Sequence, residues 1–93
     1  MEANLETKIK TVIKKVRQML KYSEYSSLVK QRASIELSED KNGNLKLDNI
    51  SFNGWDSIIV CDTSIFVSPE RGERIVLAKF KSLDEFINQI DDD

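Results

Sequence analysis

The sequence predicts an α+β fold: an N-terminal amphipathic helix, an antiparallel sheet of four or five strands, and a short C-terminal helix. Three observations carry this. Apolar residues recur at spacings of three and four near both ends of the chain, and at a spacing of two in between. The two-period runs are separated by short turn signals, which join antiparallel neighbours. Each helix has one apolar stripe to bury, so both are expected on the same face of the sheet.

In the first helix, Leu5, Ile9, Val12, Ile13, Val16, Met19 and Leu20 fall within about 120° of arc. No Gly or Pro interrupts Glu2 to Tyr22. The helix is expected from about Asn4 to Leu20 or Lys21, roughly 26 Å at 1.5 Å per residue. Ser23-Glu24-Tyr25-Ser26-Ser27 breaks the pattern and is read as leading into a short helical turn through Leu28, Val29 and Lys30, with a loop as the alternative.

From Ala33 the period is two. Ile35 and Leu37 face one way, Glu36 and Ser38 the other. Asn42-Gly43 then separates this run from Leu45 and Leu47, which predicts a hairpin with a type I′ turn. Ile50 and Phe52 are out of phase with Leu45 and Leu47, so a bulge near Asn49 is expected, unless the strand ends there. Asn53-Gly54 marks a second turn. Ser57 to Cys61 reads as a buried strand. Asp62-Thr63 either turns the chain before Ser64-Ile65-Phe66-Val67 or lies within one long bent strand. After Pro69 to Glu73, the last strand runs from Arg74 to Phe80, with Ile75 and Leu77 on one face and Val76, Ala78 and Phe80 on the other. Ser82-Leu83-Asp84-Glu85 is a capping box. The helix it opens has Leu83, Phe86, Ile87 and Ile90 on one side. Asp91-Asp92-Asp93 reads as a solvated end.

Ninety-three residues make one small domain, 1–93. A chain of this size buries roughly 60–65% of its unfolded surface, so an exposed face fits it better than an enclosed active site. Forty per cent apolar and 32 per cent charged residues describe a soluble globular chain rather than a disordered one. Nothing resembles a signal peptide or a membrane span, so the protein is read as cytoplasmic.

Charge divides the chain. Met1 to Ser34 holds eight Lys or Arg against three Glu, a net of +5; Ile35 to Asp93 holds six against thirteen, a net of −7. Such asymmetry suits a charged partner. Lys10, Lys14, Arg17 and Lys21 fall within about 60° of one another, on the side away from the apolar stripe. This ridge suits phosphates or an anionic protein, or is a solvated helix face. No aromatic residue is interleaved with it, which speaks against stacking on single strands. Phe52 and Trp55, around the Asn53-Gly54 turn, are candidate protein anchors or plugs for one end of the core. Tyr22 and Tyr25 allow the same two readings.

Catalytic chemistry has little to stand on. With no histidine, Ser-His and Cys-His pairs are excluded. The single Cys61 rules out an internal disulfide or a Cys-x-x-Cys pair, and its place among Ile58, Ile59 and Val60 suggests a small buried side chain. Asp56 and Asp62 flank a strand and would need to converge to form an acid/base or metal pair. Counting Asp40 as the first position of a calcium loop puts Leu45 where Gly belongs and Ser51 where Glu belongs. No cofactor and no metal site is expected.

Phe80-x-Ser82-Leu83-x-Glu85-Phe86-Ile87 is similar to the closing phrase of small bacterial α+β domains, among them immunity proteins of the SUKH type. The likeness covers eight residues. The functional expectation is a non-catalytic protein-interaction module, an adaptor, inhibitor or chaperone-like accessory protein, with a protein partner or a homodimer. Nucleic-acid binding through the basic helix is the alternative.

Overall fold

A computed structural model describes residues 2–89, with side chains from residue 4. The chain runs α1 (Glu2–Met19), α2 (Ser26–Val29), β1 (Ser34–Glu39), β2 (Leu45–Phe52), β3 (Ser57–Val60), β4 (Ser64–Ser68), β5 (Ile75–Lys79) and α3 (Leu83–Asn88). The five strands form one antiparallel meander in the order β1-β2-β3-β4-β5. The predicted α+β fold is therefore observed, with five strands; Asp62-Thr63 is a turn, closed by Cys61 N–H donating to the Ser64 carbonyl at 2.9 Å. Helix α1 packs on β2, on α3 and on the single turn of α2, which in turn packs on β3.

The core lies between α1 and one face of the sheet. Val12, Val16 and Leu20 of α1 meet Ile50, Phe52, Ile58, Val60, Ile65 and Val67 from three adjacent strands. Full burial of such a side chain contributes about 1.5–3 kcal/mol. Met19, at the margin of the stripe, is instead 40% exposed. Phe80 and Phe86 stack at 5.1 Å and close the α3 end. Ser82 Oγ accepts from Glu85 N–H at 3.2 Å, as a capping box requires; the Glu85 carboxylate reaches back to the amide of Lys81, one residue before the cap. Ile90 and the terminal aspartates lie outside the described residues.

Two bulges set which side chains face the helices. On β1 and β2, Glu36 pairs with Asn49 but Leu37 pairs with Leu47, so Asp48 is the extra residue. That places the expected bulge beside Asn49 and brings Ile50 and Phe52 onto the same face as Leu47. The second bulge was not visible in the alternation. Ile65 pairs with Ala78 and Phe66 with Val76, so Leu77 is extra in β5. Ile75 and Ala78 consequently share the helix-facing side, which corrects the predicted faces of the last strand. Phe66 points to the opposite face, where the Arg74 guanidinium covers its ring at 4.1 Å.

The β1–β2 connection also differs from expectation. Only Gly43 has positive φ in it, at 80°; Asn42 does not. Gly43 N–H donates to the Asp40 carbonyl and Asp40 N–H to the Asn44 carbonyl, which makes a type I turn closed by a left-handed glycine rather than a type I′ turn. The reason is Asp40. Its carboxylate accepts from the amides of Asn42 at 2.8 Å and Asn44 at 3.0 Å and holds the longer loop. Those two amides, Asn44 first, also hold its carboxyl below the ordinary value. At the next turn Gly54 meets a need for space: a Cβ there would stand 2.5 Å from Leu28 Cδ2.

Gly43→Ala is expected to lower unfolding free energy by about 1–2 kcal/mol in urea titrations, although nothing lies within 4 Å of the added methyl. Asn42→Ala is expected to be within about 0.5 kcal/mol of the parent, an outcome a type I′ turn would not give. Asp40 has a depressed folded pKa, so its contribution is present above the unfolded value near ~4 and is lost as pH falls through the folded value. Asp40→Asn should therefore flatten the acid limb of the stability–pH curve relative to the parent.

Candidate functional site

An open concavity lies between α1 and the edge strand β1. It arises because α1 packs over β2, leaving the helix-facing side of β1 uncovered. The groove is open to solvent and encloses about 750 Å³. Its floor is apolar: Ile9 and Ile13 from α1, Ala33 just before β1 and Ile35 in it. Its rim is basic: Lys10, Lys14, Arg17 and Lys21 from α1, and Arg32 from the segment before β1. None of its lining residues is acidic.

All four basic residues singled out on the helix thus line one groove. They do not form a ridge remote from the apolar stripe, because Ile9 and Ile13 at the stripe's edge stay half-buried and adjoin them. Their chemical situations differ. Arg17 Nε donates to the Val29 carbonyl at 2.7 Å and Nη2 to the Gln31 carbonyl at 3.1 Å, while its guanidinium sits 5.9 Å from the centre of the Phe52 ring. It ties the end of α2 to α1. Lys10 pairs with Glu6 one turn away at 3.4 Å, both exposed, an arrangement worth a few tenths of a kcal/mol. Lys21 lies 5.2 Å from the centre of the Tyr22 ring, and that ring is 91% exposed. Lys14 and Arg32 have no carboxylate partner among the described residues. These five cations, three of them uncommitted to a carbonyl or carboxylate, give the groove a strongly positive lip.

The two aromatic candidates separate. Phe52 is fully buried in the core, whereas Trp55, three residues on, is 83% exposed on the β2–β3 loop. Tyr25 is half-buried against the core. Asp56 and Asp62 sit at opposite ends of β3, roughly 20 Å apart along an extended chain. Asp56 accepts from Glu70 N–H at 3.0 Å and Asp62 from Leu83 N–H at 3.5 Å, so each anchors a different neighbouring segment. Cys61 is half-buried, its sulfur 3.4 Å from the Ser64 carbonyl. Among the described residues no three His, Cys, Asp or Glu side chains are grouped to hold a metal ion, and no helix is long and apolar enough to cross a membrane.

Sequence reasoning missed Arg32, Ala33 and Ile35 as groove residues, and the structural duty of Arg17. The first three join α1 only through tertiary packing. Arg17 bonds backbone carbonyls, which leave no mark in the side-chain pattern. Arg17→Ala is expected to lower stability by about 1–2 kcal/mol, since it removes a charged donor from the part-buried Val29 carbonyl, while water replaces it at the exposed Gln31 carbonyl. Lys14→Ala, on the same groove wall, should change it by less than about 0.5 kcal/mol. Thermal and urea unfolding of the two variants separates the clamp from the rim.

Comparison with known proteins finds no matching family model, no matching curated protein and no matching solved structure.

Proposed function

We propose that this chain is a small non-catalytic protein-interaction module, and that its binding surface is the groove between α1 and β1. The observation that carries the reading is the combination of an apolar floor with a positive rim in one open trough. Apolar side chains of a partner segment gain by leaving water over Ile9, Ile13 and Ile35, at about 25 cal/mol per Å² covered. Acidic side chains of the same segment meet Lys10, Lys14, Lys21 and Arg32, which steer encounter and select against basic partners. A phosphate backbone would use the rim and leave the floor wet, and the floor carries no aromatic ring on which a base could stack. The floor is what favours protein over nucleic acid.

The test places a photo-reactive phenylalanine analogue in place of Lys14, and separately in place of Arg71 on the β4–β5 loop, and irradiates each in lysate of the native cell. Adducts with protein at position 14 and not at position 71 are the expected result. Adducts only with nucleic acid, weakening steeply as salt rises, would move the assignment to the nucleic-acid reading. No adduct at position 14 would remove the groove as a binding surface.

A further inference from the structure

The groove borders a free strand edge. β1 has one ladder neighbour, β2, so the amides and carbonyls along its other side have no strand to bond. The two edges of the sheet are not alike. In β5 the extra residue, Leu77, belongs to the edge strand itself, and a bulge there turns the edge away from further pairing. In the β1–β2 pair the extra residue is Asp48 of β2, which leaves β1 regular over Ser34–Glu39. β1 also holds no Pro and no Lys or Arg. On its helix-facing side it exposes Ile35 at 37% and Leu37 at 43%, followed by Glu39.

That strand has the chemistry the groove lacks. Its apolar positions alternate with Glu36 and Ser38, and Glu39 falls on the helix-facing side, while the groove beside it is floored by Ile9 and Ile13 and rimmed by Lys10 and Lys14. We propose that the occupant is a second copy of this chain, which adds its β1 antiparallel to β1 about a two-fold axis through Leu37 and joins the two five-stranded sheets into one. This rests on the groove being the binding surface and names what fills it.

The register follows from side-chain pairing. Keeping both helix layers on one face requires an axis through a residue, since a half-residue slip inverts one copy. An axis through Glu36 sets two like carboxylates opposite each other, which destabilises the pair. An axis through Leu37 pairs Leu37 with its own copy, Glu36 with Ser38, and Ile35 with Glu39. The second copy's Glu39 then arrives beside Ile35, next to Lys10 and Lys14, and symmetry makes this contact twice.

Sedimentation velocity of the purified chain is expected to give twice the 10.7 kDa monomer mass, and Glu39→Lys is expected to return it to monomer with an unchanged circular dichroism spectrum. In a Cys61→Ser background, Leu37→Cys should form a covalent dimer under mild oxidation, because both Cα spacings of an antiparallel pair fall within disulfide range. Glu36→Cys should form no covalent dimer under the same conditions, because in this register it faces Ser38 of the other copy rather than itself. A parent that sediments as monomer at every soluble concentration, or cross-linking at Glu36→Cys without cross-linking at Leu37→Cys, overturns the proposal. Monomeric sedimentation together with protein adducts at position 14 would overturn the second copy as occupant and leave the groove's role standing.

Discussion

The sheet has one strongly apolar face, and α1 is what keeps water off it. Ile50, Phe52, Ile58, Val60, Ile65 and Val67 are all fully buried, and no polar side chain is buried with them among the described residues. A meander of short hairpins has no second sheet to pack against, so its stability depends on a helix laid across it. Val12 and Val16, one turn apart on α1 and fully buried, make that contact, and Leu20 extends it. Everything else is arranged around this layer. α3 closes its far side through Phe86 and Leu83, and α2 is held under its end by Arg17.

The position of α1 also decides where the surface is unfinished. One helix of ordinary width covers about two strands at their spacing of ~4.8 Å, and a five-stranded sheet is wider than that. Here α1, with α3 beside it, roofs the middle of the sheet over β2, and β1 is left beyond the roof. The positive charge of α1 is shared between its two flanks. Lys8 pairs with Asp84 of α3 at 3.2 Å and Lys15 donates to the Gln89 carbonyl at 2.7 Å, so that flank spends its charge on packing within the chain. The other flank, with Lys10, Lys14 and Lys21, faces the groove. Basic residues at similar spacing on one helix thus have two different uses.

The elements were legible because each has a single strong period. α1, the β1–β2 hairpin, the bulge beside Asn49 and the capped α3 all follow from spacing and from Ser, Asn and Gly at ends. The bulge in β5 was not legible, since Ile75-Val76-Leu77-Ala78 is apolar at every position and no alternation exists to break. The turn at Asn42-Gly43 was misread because a local dipeptide preference was outweighed by Asp40, whose carboxylate organises the loop from two residues upstream. Of the groove, the four basic residues of α1 were visible as a cluster, yet their relation to Ile9 and Ile13 was not. A helical wheel shows direction but not which neighbour stops short of a flank. Ile35 read only as sharing a strand face with Leu37, and its exposure comes from its place at the sheet's margin.

The order of the chain has a consequence for its synthesis. Strands β1 to β5 are joined by near neighbours and can pair as they emerge, each on the one before it. α1 is made before the strands, and its valines have no surface to cover until β2 and β3 follow. A nascent chain therefore carries an oily helix with no mate for as long as the middle of the sequence takes to translate. Layering therefore waits on β2 and β3 in the middle of the chain, which α1 and α2 contact, and the later strands and α3 extend a core already begun.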